Sequence, residues 1–440
     1  MERNLEPVFD FTTDESRILI RQGEAKVRLN GKDFTGEGEV YLELLPRAGI
    51  YFTGKFNIEG IQDIPNGSAE YDSFLFEGRE VDGFCVKDRL SPDFEDFKVK
   101  WCPTSEPIIG VGDENTRIHS AVFHLFNFVD YGGESRRQVV GGVAIKLLDL
   151  TCDEWNVELK SLSTTTKKFK QLSESGGYRL THVGSINKSD GALFSGKAAE
   201  GILIALQYFL SFVKGGWCNP VCAVGFDESG GRVWETWSSP RELWHAPASW
   251  FDPHHGQQIS TLFPDFMRRL EKDDWRKALE EVIYWYLNAN NSSRGIDAGI
   301  ILTQAAIEKL SYEYAVRDKG LLNKDGFKRL NAANQFRQLF SSLGIRLEIP
   351  SECPKIKRLA NENNWDAPDA LTTIRNSLVH PDRKGGLFEA AVCYEAWNLG
   401  LWYLEMGLLA ICDYTGTYGN RLNSERYVGQ VEEVSWAKND

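Results

Sequence analysis

Apolar and polar residues alternate along the first part of the chain, from about residue 10 to 160. Alternation with period two places every second side chain on one face of an extended strand. Gly, Asn and Asp residues separate the alternating stretches, as turns separate strands. An antiparallel sandwich or barrel buries one face of each such strand. The alternating positions are Ile18, Ile20, Val27, Leu29, Val40, Leu42, Leu44, Ile50, Phe52 and Phe56, followed by residues 139–147 and 155–159.

The periodicity becomes helical near residue 195. Residues 198–212 predict a helix, and the next two apolar stretches, 221–226 and 232–237, predict strands. Three prolines between residues 238 and 256 then indicate a boundary. Beyond it the spacing is helical, and short connections between long helices favour an antiparallel bundle. The predicted helical stretches are 266–286, 296–314, 327–340, 368–379 and 387–412.

These patterns predict an α+β multidomain protein, because 440 residues exceed what a single ordinary core organises. Residues 1–245 are assigned to a strand-rich N-terminal half, with a further division into 1–165 and 166–245 left open. An all-α helical bundle is expected over 256–425. Residues 426–440 are expected to form a C-terminal tail.

The net charge of −13 argues against a protein that coats nucleic acid through its overall charge. The acidic excess lies mainly in the first half, so the helical half can still present a local basic surface. Solvated helix faces also carry such clusters, and both interpretations stay open. The residues considered for RNA contact are Lys324, Lys328, Arg329, Arg383 and Lys384.

The eight cysteines have no framework spacing, which favours a reducing, cytoplasmic setting. The chain begins without an apolar signal region, and glutamates interrupt the apolar stretch 387–412, so we expect no export and no membrane span. Cys218 and Cys222 form the one close pair, and no second pair or His at ligand spacing accompanies them. No metal and no cofactor are expected.

The strongest chemical signal is Arg375-Asn376-Ser377-Leu378-Val379-His380, followed directly by Pro381. Proline disfavours helical geometry in the residue before it, so the helix should end near Val379 and free His380 to turn toward Arg375. An imidazole transfers protons near neutral pH, and a guanidinium stabilises phosphoryl oxygens. Asn376 would orient the histidine or hold a phosphate or ribose oxygen. The predicted catalytic residues are therefore Arg375, His380 and Asn376.

This motif resembles the Arg-x4-6-His signature of the HEPN superfamily. Two further stretches resemble parts of that family: residues 305–310 resemble an early helix of such bundles, and residues 414–421 resemble the tail of the ApeA-like branch. The resemblance covers about residues 260 to 425 through these motifs. The first half resembles such proteins only in its layout, a strand-rich region that precedes the bundle. We interpret Tyr414, Tyr418 and Arg421 as packing and capping residues rather than active-site groups.

The resemblance implies a metal-independent endoribonuclease that acts as a homodimer through its bundle. It also implies a role in anti-phage defence by abortive infection, with RNA, such as transfer RNA, as the substrate and a phage-derived trigger bound by the N-terminal region. The alternative is a non-catalytic dimeric binding or regulatory protein that keeps a HEPN-like bundle.

Two other motifs are set aside. Residues 191–197 match the start of a phosphate-binding loop, but Ala198 stands where a Ser or Thr should hold magnesium, and no apolar strand leads into Gly191. His254 and His255 lie between prolines, where a solvated loop is the simpler interpretation than a metal site.

Overall fold

The computed structural model describes residues 5–11, 16–58, 60, 71–93, 95–132, 136–140, 143–380 and 388–438. Their contacts group into two compact units, each built from separate stretches of chain. Unit 1 contains residues 1–127, 164–201 and 220–244, and unit 2 contains residues 128–163, 202–219 and 245–440.

Unit 1 contains a seven-stranded antiparallel sheet, in the strand order β5-β4-β1-β2-β3-β7-β6. The prediction of successive short strands is wrong for residues 17–43, because the first two strands are long and are joined by a turn at Asn30 and Gly31. The strands are β1 Arg17–Leu29, β2 Lys32–Glu43, β3 Gly49–Asn57, β4 Tyr71–Phe76, β5 Arg79–Glu80, β6 Gly83–Leu90 and β7 Asp96–Pro103.

The remaining strands of unit 1 pair in the order β14-β10-β16-β17-β8, and β9 pairs with β15. They are β8 Ile108–Val111, β9 Arg117–Ile118, β10 Ser120–Phe126, β14 Leu180–Lys188, β15 Phe194–Ser195, β16 Val221–Phe226 and β17 Arg232–Trp237. Aromatic rings join the two sheets of the unit: Trp237 lies 5.9 Å from Phe52 and 6.1 Å from Phe76, measured between ring centroids. Helix α1, Thr165–Ser175, packs on β14 and was not predicted.

Unit 2 is mainly helical. Three antiparallel strands, β11 Arg136–Val140, β12 Val143–Cys152 and β13 Trp155–Ser161, belong to it. Helix α2, Gly196–Lys214, begins in unit 1 and continues in unit 2. The later helices are α3 Gln257–Glu271, α4 Asp273–Asn290, α5 Ile296–Tyr312, α6 Lys324–Lys328, α7 Ala332–Ser342, α8 Pro354–Asn363, α9 Ala367–Val379 and α10 Ala390–Ile411. Strands β18 Thr417–Tyr418 and β19 Glu432–Glu433 follow.

The coarse prediction is confirmed: a strand-rich N-terminal half with antiparallel sheets precedes a helical C-terminal half. The ranges 221–226 and 232–237 coincide with β16 and β17. The predicted stretch 266–286 is two helices, because the chain leaves helical geometry at Lys272. Helix α8 was missed, since its short apolar stripe consists mainly of Ile356 and Ala360.

Within unit 2, the C-terminal part of α2 supplies much of the core. Phe209 lies 5.2 Å from both Phe263 and Phe266, and Phe212 lies 5.6 Å from Tyr286, measured between ring centroids. In the part of the chain that the structure describes, α2 is the helix whose length and composition would allow it to cross a membrane. A buried core helix has the same properties, and Leu206, Phe209 and Phe212 are fully buried.

A buried histidine in unit 1 makes stability depend on pH. His124 Nε2 accepts the Val8 N–H at 3.0 Å, and Nδ1 lies 3.1 Å from the Val221 carbonyl oxygen, so Nδ1 carries the single proton. Burial lowers the pKa of His124 to about 4. Protonation would add an N–H that faces the N–H of Val8, which opposes the charged form as well.

Because the folded pKa lies below the unfolded value, the unfolded chain binds the extra proton first as the pH falls. We expect His124 to lower the free energy of unfolding progressively from about pH 6.5 to pH 4, by up to about 3 kcal/mol. Urea denaturation at a series of pH values measures this. His124→Gln should flatten the profile in this window, and an unchanged slope in that variant would contradict the prediction.

Candidate active site

Helix α9 carries the predicted catalytic residues and has clear local signals at both ends. Asp366 caps its start by accepting the N–H of Asp369 at 2.9 Å, and Pro368 occupies the first turn. The buried face consists of Ala367, Ala370, Leu371 and Ile374, which have helical spacing. The helix ends at Val379, as predicted from Pro381, and His380 lies outside helical geometry, with φ −125° and ψ 85°.

The last turn of α9 places Arg375 and Asn376 half-buried and His380 exposed. The Arg375 Nη1 donates to Asn376 Oδ1 at 3.3 Å, and the His380 N–H donates to the Asn376 carbonyl at 3.0 Å. Asn376 therefore contacts both other members of the motif, through its side chain on one side and its backbone on the other.

Arg375 has a buried hydrogen-bond donor that is not satisfied. Its Nε is buried and makes no hydrogen bond, and none of the described carboxylates forms an ion pair with its guanidinium. A buried guanidinium N–H without an acceptor costs free energy, because the N–H has lost its water. The planar fork of a guanidinium is well suited to pair with a phosphate.

The other end of α9 is fixed by an ion-paired cluster that the sequence analysis missed. Arg337, on α7, donates to both carboxylate oxygens of Asp366 and forms an ion pair with Asp369. These contacts hold the N-terminal turn of α9 against α7. The Asp-x-Pro start of the helix was a signal for the cap, but the partner on α7 is 29 residues away along the chain.

The predicted basic residues separate into two groups. Lys324 and Lys328 are exposed on the short helix α6, and exposed Arg329 follows that helix directly. Arg383 and Lys384 lie outside the described residues. Whether these cations contact RNA stays a prediction.

The tail after α10 is tied into the core of unit 2 by a buried ion pair. Arg421 and Glu405, with side chains 1% and 0% exposed, lie 2.7 Å apart. Arg421 also donates to Asn290 Oδ1 at 3.0 Å and to the Ala248 carbonyl at 2.9 Å. Tyr286 donates its hydroxyl to Glu405 Oε1 at 2.6 Å. Burial, assisted by the Glu405 carboxylate, raises the pKa of Tyr286 well above its ordinary value, so the phenol stays protonated.

The two tail tyrosines also make structural contacts. The Tyr414 hydroxyl donates to the Thr417 carbonyl at 2.7 Å, and the Tyr418 hydroxyl lies 3.2 Å from Glu432 Oε2. Both rings are buried. The interpretation of Tyr414, Tyr418 and Arg421 as packing residues agrees with these contacts.

The two motifs set aside above, the phosphate-loop-like stretch 191–197 and the pair His254 and His255, form hydrogen bonds within the protein. Ser195 Oγ accepts the Ala198 N–H at 3.2 Å, and the Lys197 N–H donates to the Glu114 carbonyl at 2.8 Å, so the start of α2 is satisfied by the chain itself. His255 Nδ1 lies 3.1 Å from Asp252 Oδ1. Asp252 also accepts the N–H groups of His254 and Gly429, which fixes this loop.

Comparison with known proteins finds similarity to one kind of protein in both the central and the C-terminal part of the chain. The family model of the YopA central domain matches residues 113–248, and that of the YopA C-terminal domain matches residues 272–433. No solved structure matches the chain. A SPbeta prophage-derived protein YopA of Bacillus subtilis (strain 168) is 29% identical over 436 residues, covering 96% of each chain. The chain is therefore similar to YopA along nearly its whole length, and α9 lies within the region that matches the YopA C-terminal domain.

Proposed function

We propose that this protein is a metal-independent endoribonuclease of the HEPN type. The observation that supports it is the end of α9, where a half-buried guanidinium that pairs with no carboxylate of the described residues is followed five residues later by an exposed imidazole. The exposure of His380, and a guanidinium on Arg375 that no described carboxylate neutralises, support a site for a polyanion.

The proposed reaction is RNA cleavage by an internal attack, which uses the chemistry of these groups. A ribose 2′-oxygen attacks the adjacent phosphorus, the bond from phosphorus to the 5′-oxygen breaks, and the products carry a 2′,3′-cyclic phosphate and a 5′-hydroxyl. His380 transfers a proton during this exchange. Arg375 binds the phosphoryl oxygens, whose negative charge increases in the transition state. Asn376, bonded to Arg375, holds that side chain in place.

The bundle is proposed to form a homodimer in which these residues of two copies line one cleft, as in the HEPN superfamily. The proposed setting is anti-phage defence in the cytoplasm, with RNA as the substrate, transfer RNA as one candidate, and a phage product as the trigger. The prophage-derived relative supports a phage-related role. The competing proposal is a non-catalytic regulatory dimer.

Cleavage in the presence of a chelator distinguishes these proposals. Purified protein is incubated with total RNA and excess EDTA, with and without lysate from phage-infected cells, and the new ends are mapped. The proposal expects 2′,3′-cyclic phosphate ends that persist with chelator. Absence of cleavage in every condition, together with undiminished protection of cells by the His380→Ala variant, would support the regulatory dimer.

Arg375→Lys keeps the positive charge but loses the two-pronged contact with a phosphate. We expect RNA cleavage to fall by about a hundredfold, as for loss of one donor to a developing negative charge. The rate of cleavage at saturating enzyme measures this. Arg358→Lys is the matched control, because Arg358 is an exposed arginine on α8 and should tolerate the change. Equal rates for the two variants would contradict the phosphate role of Arg375.

A further inference from the structure

One face of the seven-stranded sheet in unit 1 carries a cluster of cations. Along β7, Phe97, Val99 and Trp101 are buried, so the alternate residues Lys98 and Lys100 lie on the opposite, outer face. The register places Lys98 between Lys55 on β3 and Arg89 on β6, and it places Lys100 opposite Lys87 on β6. We call this surface the basic sheet face: Lys55, Lys87, Arg89, Lys98 and Lys100.

Most of this charge is not neutralised within the protein. Lys55 pairs with Asp96 at 3.0 Å and Lys100 with Glu43 at 2.6 Å. Lys87, Arg89 and Lys98 have no ion-pair partner among the residues that the structure describes. Like charges directly opposite each other on neighbouring strands destabilise a sheet. A row of three cations, Lys55, Lys98 and Arg89, is therefore a cost to folding that a bound anion would relieve.

Aromatic and apolar side chains lie beside these cations. Phe84, opposite Cys102, is 55% exposed, and Val86, two residues further along β6, is 50% exposed. Tyr51 on β3 is half-buried, and the Lys100 Nζ lies 3.9 Å from its ring centroid. Exposed rings next to cations are what a single strand of nucleic acid needs, since its bases stack on rings while its phosphates pair with Lys and Arg.

The acidic residues of the same face define the limit of this surface. Glu37, Glu39 and Glu43 lie on β2, where Glu37 is opposite Lys55, and Asp96 lies at the start of β7, paired with Lys55. A polyanion is therefore repelled from β2 and directed to Lys98 and Lys100 on β7 and to the cations of β6. We propose that the basic sheet face binds single-stranded nucleic acid, with Lys87, Arg89 and Lys98 on phosphates and Phe84 against a base. This inference uses the charge and register of unit 1 and does not depend on catalysis at α9.

Binding is measured by fluorescence anisotropy on the full-length chain. The probes are labelled oligouridine and oligodeoxythymidine of about 20 nucleotides. The His380→Ala background is used so that cleavage cannot alter the probe. The expected logarithmic salt slope is about −2, for three phosphate contacts on a single strand.

Lys98→Gln should reduce the magnitude of this slope by about 0.7, because one phosphate contact is lost. Phe84→Ala should weaken binding roughly tenfold while leaving the slope unchanged, because a stacking contact carries no charge. Lys26→Gln is the matched control: it removes one positive charge from β1 of the same sheet, where Lys26 pairs with Asp33 at 2.8 Å. Thermal melting establishes that each variant is folded.

Absence of binding by the parent chain at about 50 mM salt would overturn the proposal. Equal losses of affinity for Lys98→Gln and Lys26→Gln would overturn it too, because the effect would then come from the overall charge of the protein and not from this surface. If a polyglutamate peptide competes as well as oligouridine, the surface belongs to an acidic protein segment instead. None of these results depends on whether the wild-type protein cleaves RNA.

Discussion

Replacing His380 with alanine is expected to lower the rate of RNA cleavage by about 10²- to 10⁴-fold, the usual contribution of a positioned proton-transfer group. His380 is exposed and lies just beyond the last residue of α9, so its side chain can be removed without opening a cavity. The free energy of unfolding should therefore change by no more than about 0.5 kcal/mol. A large loss of activity with little loss of stability would indicate a chemical role.

The matched control for this variant is His254→Ala, since His254 is an exposed histidine in unit 2. Single-turnover cleavage of a defined RNA compares both variants with the parent chain. The pH profile adds a second test, because removal of a proton-transfer group removes its limb from the profile. If His380→Ala cleaves within twofold of the His254→Ala control, the proposed nuclease mechanism is wrong.

The second large effect concerns stability rather than activity. Arg421→Ala should destabilise unit 2 by about 3–5 kcal/mol, because it leaves the Glu405 carboxylate buried without its cation. Asn290 Oδ1 and the Ala248 carbonyl would lose a donor at the same time. Guanidinium denaturation followed by far-UV circular dichroism measures the change.

Replacing both members of the ion pair tests whether a buried unpaired charge causes the loss of stability. An apolar pair, Glu405→Met with Arg421→Met, removes both charges, so the double variant should be more stable than Arg421→Ala. Arg426→Ala is a control, as it removes a half-buried arginine from the same tail. A loss below about 1 kcal/mol for Arg421→Ala would show that water reaches this ion pair and that the tail is not anchored by it.

Several elements were predictable because their causes are local. Short apolar stretches predicted β16 and β17, and helical spacing predicted α2 and α9. Pro381 predicted the end of α9, since a proline acts directly on the residue before it. In each case the information lies within a few residues of the element itself.

Tertiary structure decided the features that matter for the site and the surface. Three features depend on residues far apart along the chain: the lack of a carboxylate partner for Arg375 among the described residues, the Arg337 contact with Asp366, and the Arg421–Glu405–Tyr286 cluster. The basic sheet face exists because strand register places Lys55, Lys98 and Arg89 in one row.

Short-range sterics and side-chain periodicity thus determined from the sequence the positions of β16, β17 and α9, including the residue at which α9 ends. Which charges meet, and which stay unpaired, was decided by the packing of whole elements, since one residue of register moves every side chain of a strand to the opposite face. The inclusion of residues 128–163 and 202–219 in the helical unit was decided in the same way, because it depends on contacts summed over many residues.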